Sequence, residues 1–352
     1  MIRSQSAKNL RKSKSFRIIF LLLIFFFFPI LNIGYAKYSD PKGKNTIQES
    51  SKLSGKGMQI RSIDTQIVSK HWENVDENDI KEQVLMIKNL GANYIAVSTP
   101  YDNPATLKLW ADSIHNAGLN VWFRSHWLDW EGDNNHQSVM KVEDYLKKTG
   151  DFIQANPAFF RQGDAFTVCV EPEQVFTARK IQVFDWYGYN KFVIDQIDIA
   201  NASFTEIGLS GQIHTNWISM NGWVVENGLS QEAVDKMGLI TVDHYSNEKT
   251  IVPPAVLADK MASDLERMYE KWQKPIILGE WGYNIEQEVD DYTQKQTVEE
   301  TLNRLSNLRF LVGINYWDHM GNSSRLINDV DGVRLEYRPS ALTVRDFFQS
   351  KK

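Results

Sequence analysis

The sequence has a single cysteine, Cys169, in 352 residues. No intramolecular disulfide can form, so the fold must be held by its core. Cys169 sits in an apolar run and reads as a small buried packing residue. Excess positive charge is also missing. The 39 Lys and Arg stand against 44 Asp and Glu, a formal net charge of −5. That balance argues against nucleic acid or an anionic membrane surface as the main partner. No G-x-G-x-x-G turn follows the first strand-like segment, which weakens a dinucleotide-binding reading. Neither His-Glu-x-x-His nor Cys-x-x-Cys occurs, so no cofactor and no catalytic metal is expected. The loop Asn328-Asp329-Val330-Asp331-Gly332 lacks the full oxygen-ligand spacing of a calcium loop and reads as a solvated turn.

The N-terminus is organised as an export signal. Arg3, Lys8, Arg11, Lys12, Lys14 and Arg17 form a basic start, and an unbroken apolar run from Ile18 to Phe28 ends at Pro29. Gly34 and Ala36 supply small residues at the −3 and −1 positions of a cleavage site. Residues 1–36 are therefore expected to be a signal peptide, which implies a secreted or cell-surface protein. The alternative is an uncleaved N-terminal membrane anchor, and no other membrane attachment is expected. No cysteine lies near the cleavage site, which excludes a lipoprotein anchor. Residues 37–56 are polar and rich in Lys, Ser and Gly, and read as a flexible linker.

Over residues 57–352 strand-like and helix-like patterns alternate. The strands are expected at 57–65, 93–99, 119–127, 164–173, 210–217, 238–245, 275–281 and 311–320. Helices are expected between them, and one at 340–349 closes the chain. In the first helix Ile80, Val84, Ile87 and Leu90 fall on one stripe, and Gly91 ends it. Alternating βα units with apolar strands imply a parallel sheet covered on both faces. Eight such units in this length favour one closed (β/α)8 TIM barrel.

In such a barrel the functional groups gather at the C-terminal ends of the strands. Those ends collect Arg61 and Asp64, Ser98 and Tyr101, Arg124, His126 and Trp127, Glu171 and Glu173, then His214, Asn216 and Trp217. Asp243, His244 and Tyr245 follow, then Glu280 and Trp281, then Asn315, Trp317, Asp318 and His319. Two motifs stand out: Val170-Glu171-Pro172-Glu173 and Gly279-Glu280-Trp281-Gly282. Each ends an apolar run in a carboxylate, which is costly to bury without partners or a task. Paired carboxylates at one rim suit an acid and a nucleophile.

On these residues the chain resembles the clan A glycoside hydrolases, retaining (β/α)8 enzymes, over the whole barrel but through short motifs only. The resemblance implies that Glu171 is the acid/base ending strand four and Glu280 the nucleophile ending strand seven. It implies that His244 and Tyr245 end strand six with Tyr245 bonded to the nucleophile, and that Trp317 floors the sugar site. One departure stands beside this. The family's Asn before the acid/base is Val170 here, so the contact to the sugar 2-hydroxyl would pass to another residue, with Asn216 and His214 as candidates. Arg61 or Arg124 would help keep Glu280 ionised. His126 and Trp281 complete the expected substrate-binding set, and Glu173 is an alternative acid.

The implied function is hydrolysis of β-glycosidic bonds in a secreted enzyme's polysaccharide or oligosaccharide substrate. The rim aromatics Trp127, Trp130, Trp217, Trp223 and Trp281 suggest several subsites and endo action. The alternatives are a carbohydrate-binding barrel without turnover and a metal-dependent barrel hydrolase. The latter lacks the usual His and Asp spacing.

Overall fold

The computed structural model describes residues 58–71, 75–128, 139–178, 180–183, 185–245, 252–283, 290–330 and 334–352. The expected signal peptide and linker, Trp130, Asp331 and Gly332 lie outside them.

Strands and helices alternate as the patterning requires. β1 (Ile60–Asp64) leads into a short helix, α1 (Gln66–His71), and then α2 (Glu77–Asn89). β2 (Tyr94–Val97), α3 (Pro104–Asn116), β3 (Asn120–Arg124) and α4 (Val142–Ala155) follow. Next come β4 (Ala165–Thr167), the short α5 (Pro172–Thr177) and the long α6 (Trp186–Glu206). β5 (Ser219–Asn221) precedes α7 (Gly222–Asn227) and α8 (Gln231–Met237). Then run β6 (Ile240–Asp243), α9 (Pro254–Trp272), β7 (Ile276–Trp281), α10 (Asp291–Leu305) and β8 (Leu311–Tyr316). A hairpin of β9 (Ile327–Asp329) and β10 (Leu335–Tyr337) comes before α11 (Pro339–Ser350).

Local chemistry sets these boundaries. The Asp76 carboxylate accepts the Asn78 and Asp79 amides at the start of α2, and Asp290 accepts the Thr293 amide at the start of α10. Each such cap is worth about 1 kcal/mol. The buried face of α2 carries Ile80, Val84 and Ile87, the stripe read from its spacing.

The eight strands form one parallel sheet in the order β4-β3-β2-β1-β8-β7-β6-β5. β1 pairs with both β2 and β8, so the first and last strands meet. The remaining seam, between β4 and β5, has no continuous ladder. It is bridged by Phe166 N–H to His214 O at 2.9 Å, Thr167 Oγ1 to Trp217 O at 2.6 Å and Glu171 N–H to Ser219 O at 3.0 Å. The result is a nearly closed (β/α)8 barrel.

Inside the barrel Ile60, Tyr94, Trp122, Ala165, Trp217 and Ile277 pack together near the strand starts. They plug the N-terminal half. A larger apolar layer between strands and helices holds the outer shell. The upper interior is polar, holding Asp64, Arg124, Ser219, Asp243 and Glu280. Among the described residues no helix is long and apolar enough to cross a membrane.

The fifth strand departs from expectation. The segment 210–217 makes only a single bridge to β4, through His214 and Ala165, and the ladder to β6 begins at Ser219. The rim of this strand is therefore Asn221, not Trp217. The short helices α1, α5 and α7 and the β9–β10 hairpin were also not expected, and β4 ends at Thr167 rather than running on to Glu173.

Candidate active site

Alternation along β3 turns Trp122 and Arg124 into the barrel. Arg124 is 1% exposed and is the hub of the upper interior. Its Nη1 donates to Asp64 Oδ2. Its Nη2 donates to Ser219 Oγ at 3.0 Å and to Glu280 Oε1 at 2.7 Å, and lies 3.8 Å from Asp243 Oδ2. Burial opposes the Arg124 charge, but Glu280, Asp64 and Asp243 together hold its pKa above the ordinary arginine value. A planar guanidinium can serve several carboxylates at once because its donors are fixed in a fork.

Glu280 is positioned by an irregularity in β7. Against β6, Val242 pairs with Leu278 but Asp243 with Glu280, and against β8 the pairing jumps from Leu278 to Trp281. The extra residue is a bulge, a device that re-aims side chains beside functional sites. Gly279 makes it possible. A Cβ there would sit 2.5 Å from Asp243 Oδ1 and 2.6 Å from Ser219 Oγ. Glu280 then reaches Arg124 through one oxygen and accepts the Tyr245 hydroxyl through the other. Burial raises the Glu280 pKa, and the Arg124 charge and the Tyr245 hydrogen bond work against the rise. Burial first, and then the Glu280 charge, keep Tyr245 protonated and a donor.

Asp64 accepts three donors: Gln66 N–H at 2.8 Å, Asn315 Nδ2 at 2.8 Å and Arg124. Trp317 stands beside Tyr245, edge to face at 5.4 Å, and its Nε1 donates to Gln66 Oε1 at 2.9 Å.

Glu171 follows β4 on the same rim and is half-buried. Its backbone is left-handed, with φ 43° and ψ 58°, at the N-cap of α5, where Pro172 opens the helix. Left-handed backbone in a residue with a Cβ is strained and gathers at functional sites. Glu171 and Glu280 line one cleft together with Gln66, Lys70, Ser98, Arg124, Ser125, His126 and Val170.

Glu173, the alternative acid, is 2% exposed and bonded elsewhere. Its Oε1 accepts Asn221 N–H at 2.6 Å and its Oε2 faces the Tyr189 hydroxyl at 3.5 Å. Burial lifts its pKa to about 7. Its contacts tie α5 and α6 to β5. Cys169 is fully buried, and burial pushes its thiol up to about 12, as its packing role implies.

Of the expected residues, Glu171, Glu280, Arg124, His126, Tyr245 and Trp317 meet at the rim. Five others do not. Arg61, the second residue of β1, faces the opposite end, where it donates to Gly91 O and Lys351 O, both at 3.2 Å. His214 bridges to the first residue of β4 and stacks on Trp217 at 4.6 Å, at the barrel floor. Asn216 Nδ2 donates to Met237 O at the end of α8, on the same floor. Both corrections follow from the displaced fifth strand. His244 points outward, its Nε2 2.9 Å from Asp264 Oδ2 on α9, because Asp243 and Tyr245 take the inward positions. Trp281 is 3% exposed and packs edge to face on Tyr316 at 5.2 Å, outside the barrel.

The rim aromatics change accordingly. Trp217 and Trp281 are buried, and Trp127 is tied down by Thr149 and ringed by Tyr101 and Phe152, whereas Trp223 is 60% exposed. Gln66, Lys70 and Ser219 were not anticipated. The Gln66–Lys70 spacing of four, immediately after the first rim carboxylate, was the available signal for the first two. Among the described residues no group of three His, Cys, Asp or Glu side chains is placed to hold a metal.

No family model matches the sequence, and no curated protein matches it. Solved structures do. A β-D-glucuronidase from Dictyoglomus thermophilum superposes with a TM-score of 0.58 at 16% identity, covering 84% of this chain and 52% of that one. The chain thus spans about half the length of that enzyme. A GH5_18 protein from Streptomyces cattleya, solved with GlcNAc, gives 0.63 at 12% identity, covering 84% and 81%. A family 5 xyloglucanase from Paenibacillus pabuli gives 0.55 at 13% identity, covering 85% and 99%. The fold is therefore the (β/α)8 barrel on which clan A glycoside hydrolases are built.

Proposed function

We propose that the chain is a glycoside hydrolase that cleaves β-glycosidic bonds in a polysaccharide with retention of configuration. The observation that carries this reading is the shared rim cleft. Glu280, gripped by Arg124 and Tyr245, lines it together with Glu171. The glycosidase barrels that superpose on the chain support the same reading.

In this mechanism Glu280 attacks the anomeric carbon while Glu171 gives its proton to the leaving glycosidic oxygen. Arg124 and Tyr245 hold the attacking carboxylate ionised and oriented. Glu171, now a carboxylate, takes a proton from water, which displaces Glu280 and restores both groups. Trp317 offers an apolar face beside Tyr245 to one sugar ring. With His214 and Asn216 at the floor, the sugar hydroxyl contacts fall to Ser98, Ser125 and His126 in the cleft. Endo action and export through residues 1–36 belong to the same proposal.

The test is incubation with β-glucans, mannans and xylans, with the first-formed anomer followed by proton NMR. Release of the β-anomer supports the reading. Release of the α-anomer first would make the enzyme inverting. Binding with no product on any substrate would make the chain a carbohydrate-binding barrel.

A further inference from the structure

Asp243 is the least supported charge in the barrel. It is the last residue of β6, 5% exposed, and neither of its oxygens has a hydrogen-bond partner. Around it lie Ser219, Thr241 and the bare Cα of Gly279. The groups that face it are Arg124 from β3, Glu280 from β7, Tyr245 just past the end of β6, Glu171 after β4 and Glu173 from α5. Asp64 lies across Arg124 from it.

The charges do not balance if all are ionised. Asp64, Asp243 and Glu280 would share one guanidinium. Asp64 has three donors and Glu280 has two, whereas Asp243 has none. A buried carboxylate without donors neutralises rather than stays charged. The proton therefore goes where the donors are not.

We propose that Asp243 is a positioning residue that carries the proton of this carboxylate cluster, so that Glu280 stays ionised and shares Arg124 with Asp64 alone. Burial, followed by the Glu280 charge, raises the Asp243 pKa in the same direction. A second consequence follows. When Glu280 loses its charge, Asp64 is the one carboxylate left on Arg124, and Asp243, 3.8 Å from Nη2, becomes its second counter-ion. The proton affinity of Asp243 is then tied to the charge of Glu280, and it falls whenever Glu280 is esterified or made neutral. The role of Glu280 in this coupling rests on the glycosidase reading, but the coupling itself is a property of the resting cluster.

The test is an NMR titration of the full chain labelled with 13Cγ-aspartate. The Asp243 resonance is the one lost in Asp243→Asn or, should that variant not fold, in Asp243→Ser. In the wild type it should remain in the protonated position through pH 7. In Glu280→Gln its midpoint should fall by roughly one to three pH units, the usual size for a carboxyl that gains an arginine as its counter-ion. If Glu280→Gln does not fold, Glu280→Ala serves for the same shift. An Asp243 resonance already ionised at pH 6 in the wild type, or one unmoved by neutralising Glu280, overturns the proposal. Neither result depends on turnover, so this failure is separate from failure of the glycosidase reading. With a substrate in hand, the activity of Asp243→Asn should fall less steeply than that of the wild type as pH rises. A structural role alone would lower activity equally at every pH.

Discussion

Replacing Arg124 tests how the upper barrel is held together. In Arg124→Met the side chain keeps its bulk but loses its bonds to Asp64, Ser219 and Glu280. Two buried carboxylates would be left without their cation. Breaking a buried pair from one side costs about 3–5 kcal/mol, a large part of the roughly 5–15 kcal/mol that holds a domain. Arg124→Lys keeps the charge but cannot reproduce the fork. It should lose at least one charge-assisted bond, about 1.5–3 kcal/mol. The loss must also depend on pH. Burial already raises Glu280 from its ordinary 4.5, and removing Arg124 raises it further. A carboxyl with a raised folded pKa contributes stability that is full below its unfolded value and lost as pH rises through the folded one. Arg124→Met should therefore be weakest at neutral pH and recover toward pH 4.5. Urea unfolding followed by tryptophan fluorescence across that range measures this. A loss that is the same at every pH, or a methionine variant as stable as the wild type at pH 7.5, would refute the reasoning.

Glu171→Gly should be more stable than Glu171→Ala by about 1 kcal/mol, because only glycine adopts the left-handed backbone there without strain; thermal melts of the two variants compare them directly. Glu173, lifted to about 7, should weaken the fold as pH rises from its ordinary 4.5 through that value. In Glu173→Gln the dependence of unfolding free energy on pH over that window should flatten, and an unchanged slope would place the titrating group elsewhere.

How much of this was legible in the sequence depended on whether a strand announced both of its ends. The run before Glu280 is apolar throughout and stops at Gly-Glu-Trp-Gly, so the end of β7 and its carboxylate were readable. Arg124 was one of two candidate arginines and Tyr245 came with the resemblance, although two-residue alternation along β3 and past the end of β6 puts both on the inward face. The same alternation should have turned His244 outward, but the His-Tyr pair was taken together. The fifth strand failed for a different reason. The stretch 210–217 has a strand-like pattern yet makes one bridge, and the ladder forms only at Ser219–Asn221, three residues before a helix. Which part of an extended segment pairs is decided by its neighbours β4 and β6, and no local signal carries that. Arg61 shows the complementary limit. Its charge suggested a site, but its place at the start of β1 put it among helix ends.

The central claim is that Glu280 and Glu171 have different jobs, and azide separates them. Glu171→Ala should still form the glycosyl-enzyme from a substrate with a good leaving group and then stall, because no base activates water. Azide needs no base, so it should restore turnover and give a glycosyl azide of retained configuration. Glu280→Ala should lose activity on every substrate, and azide there should give at most the inverted product. Retained azide product from Glu280→Ala and inverted product from Glu171→Ala would swap the two roles. Full activity of Glu171→Ala on polysaccharide would contradict the account.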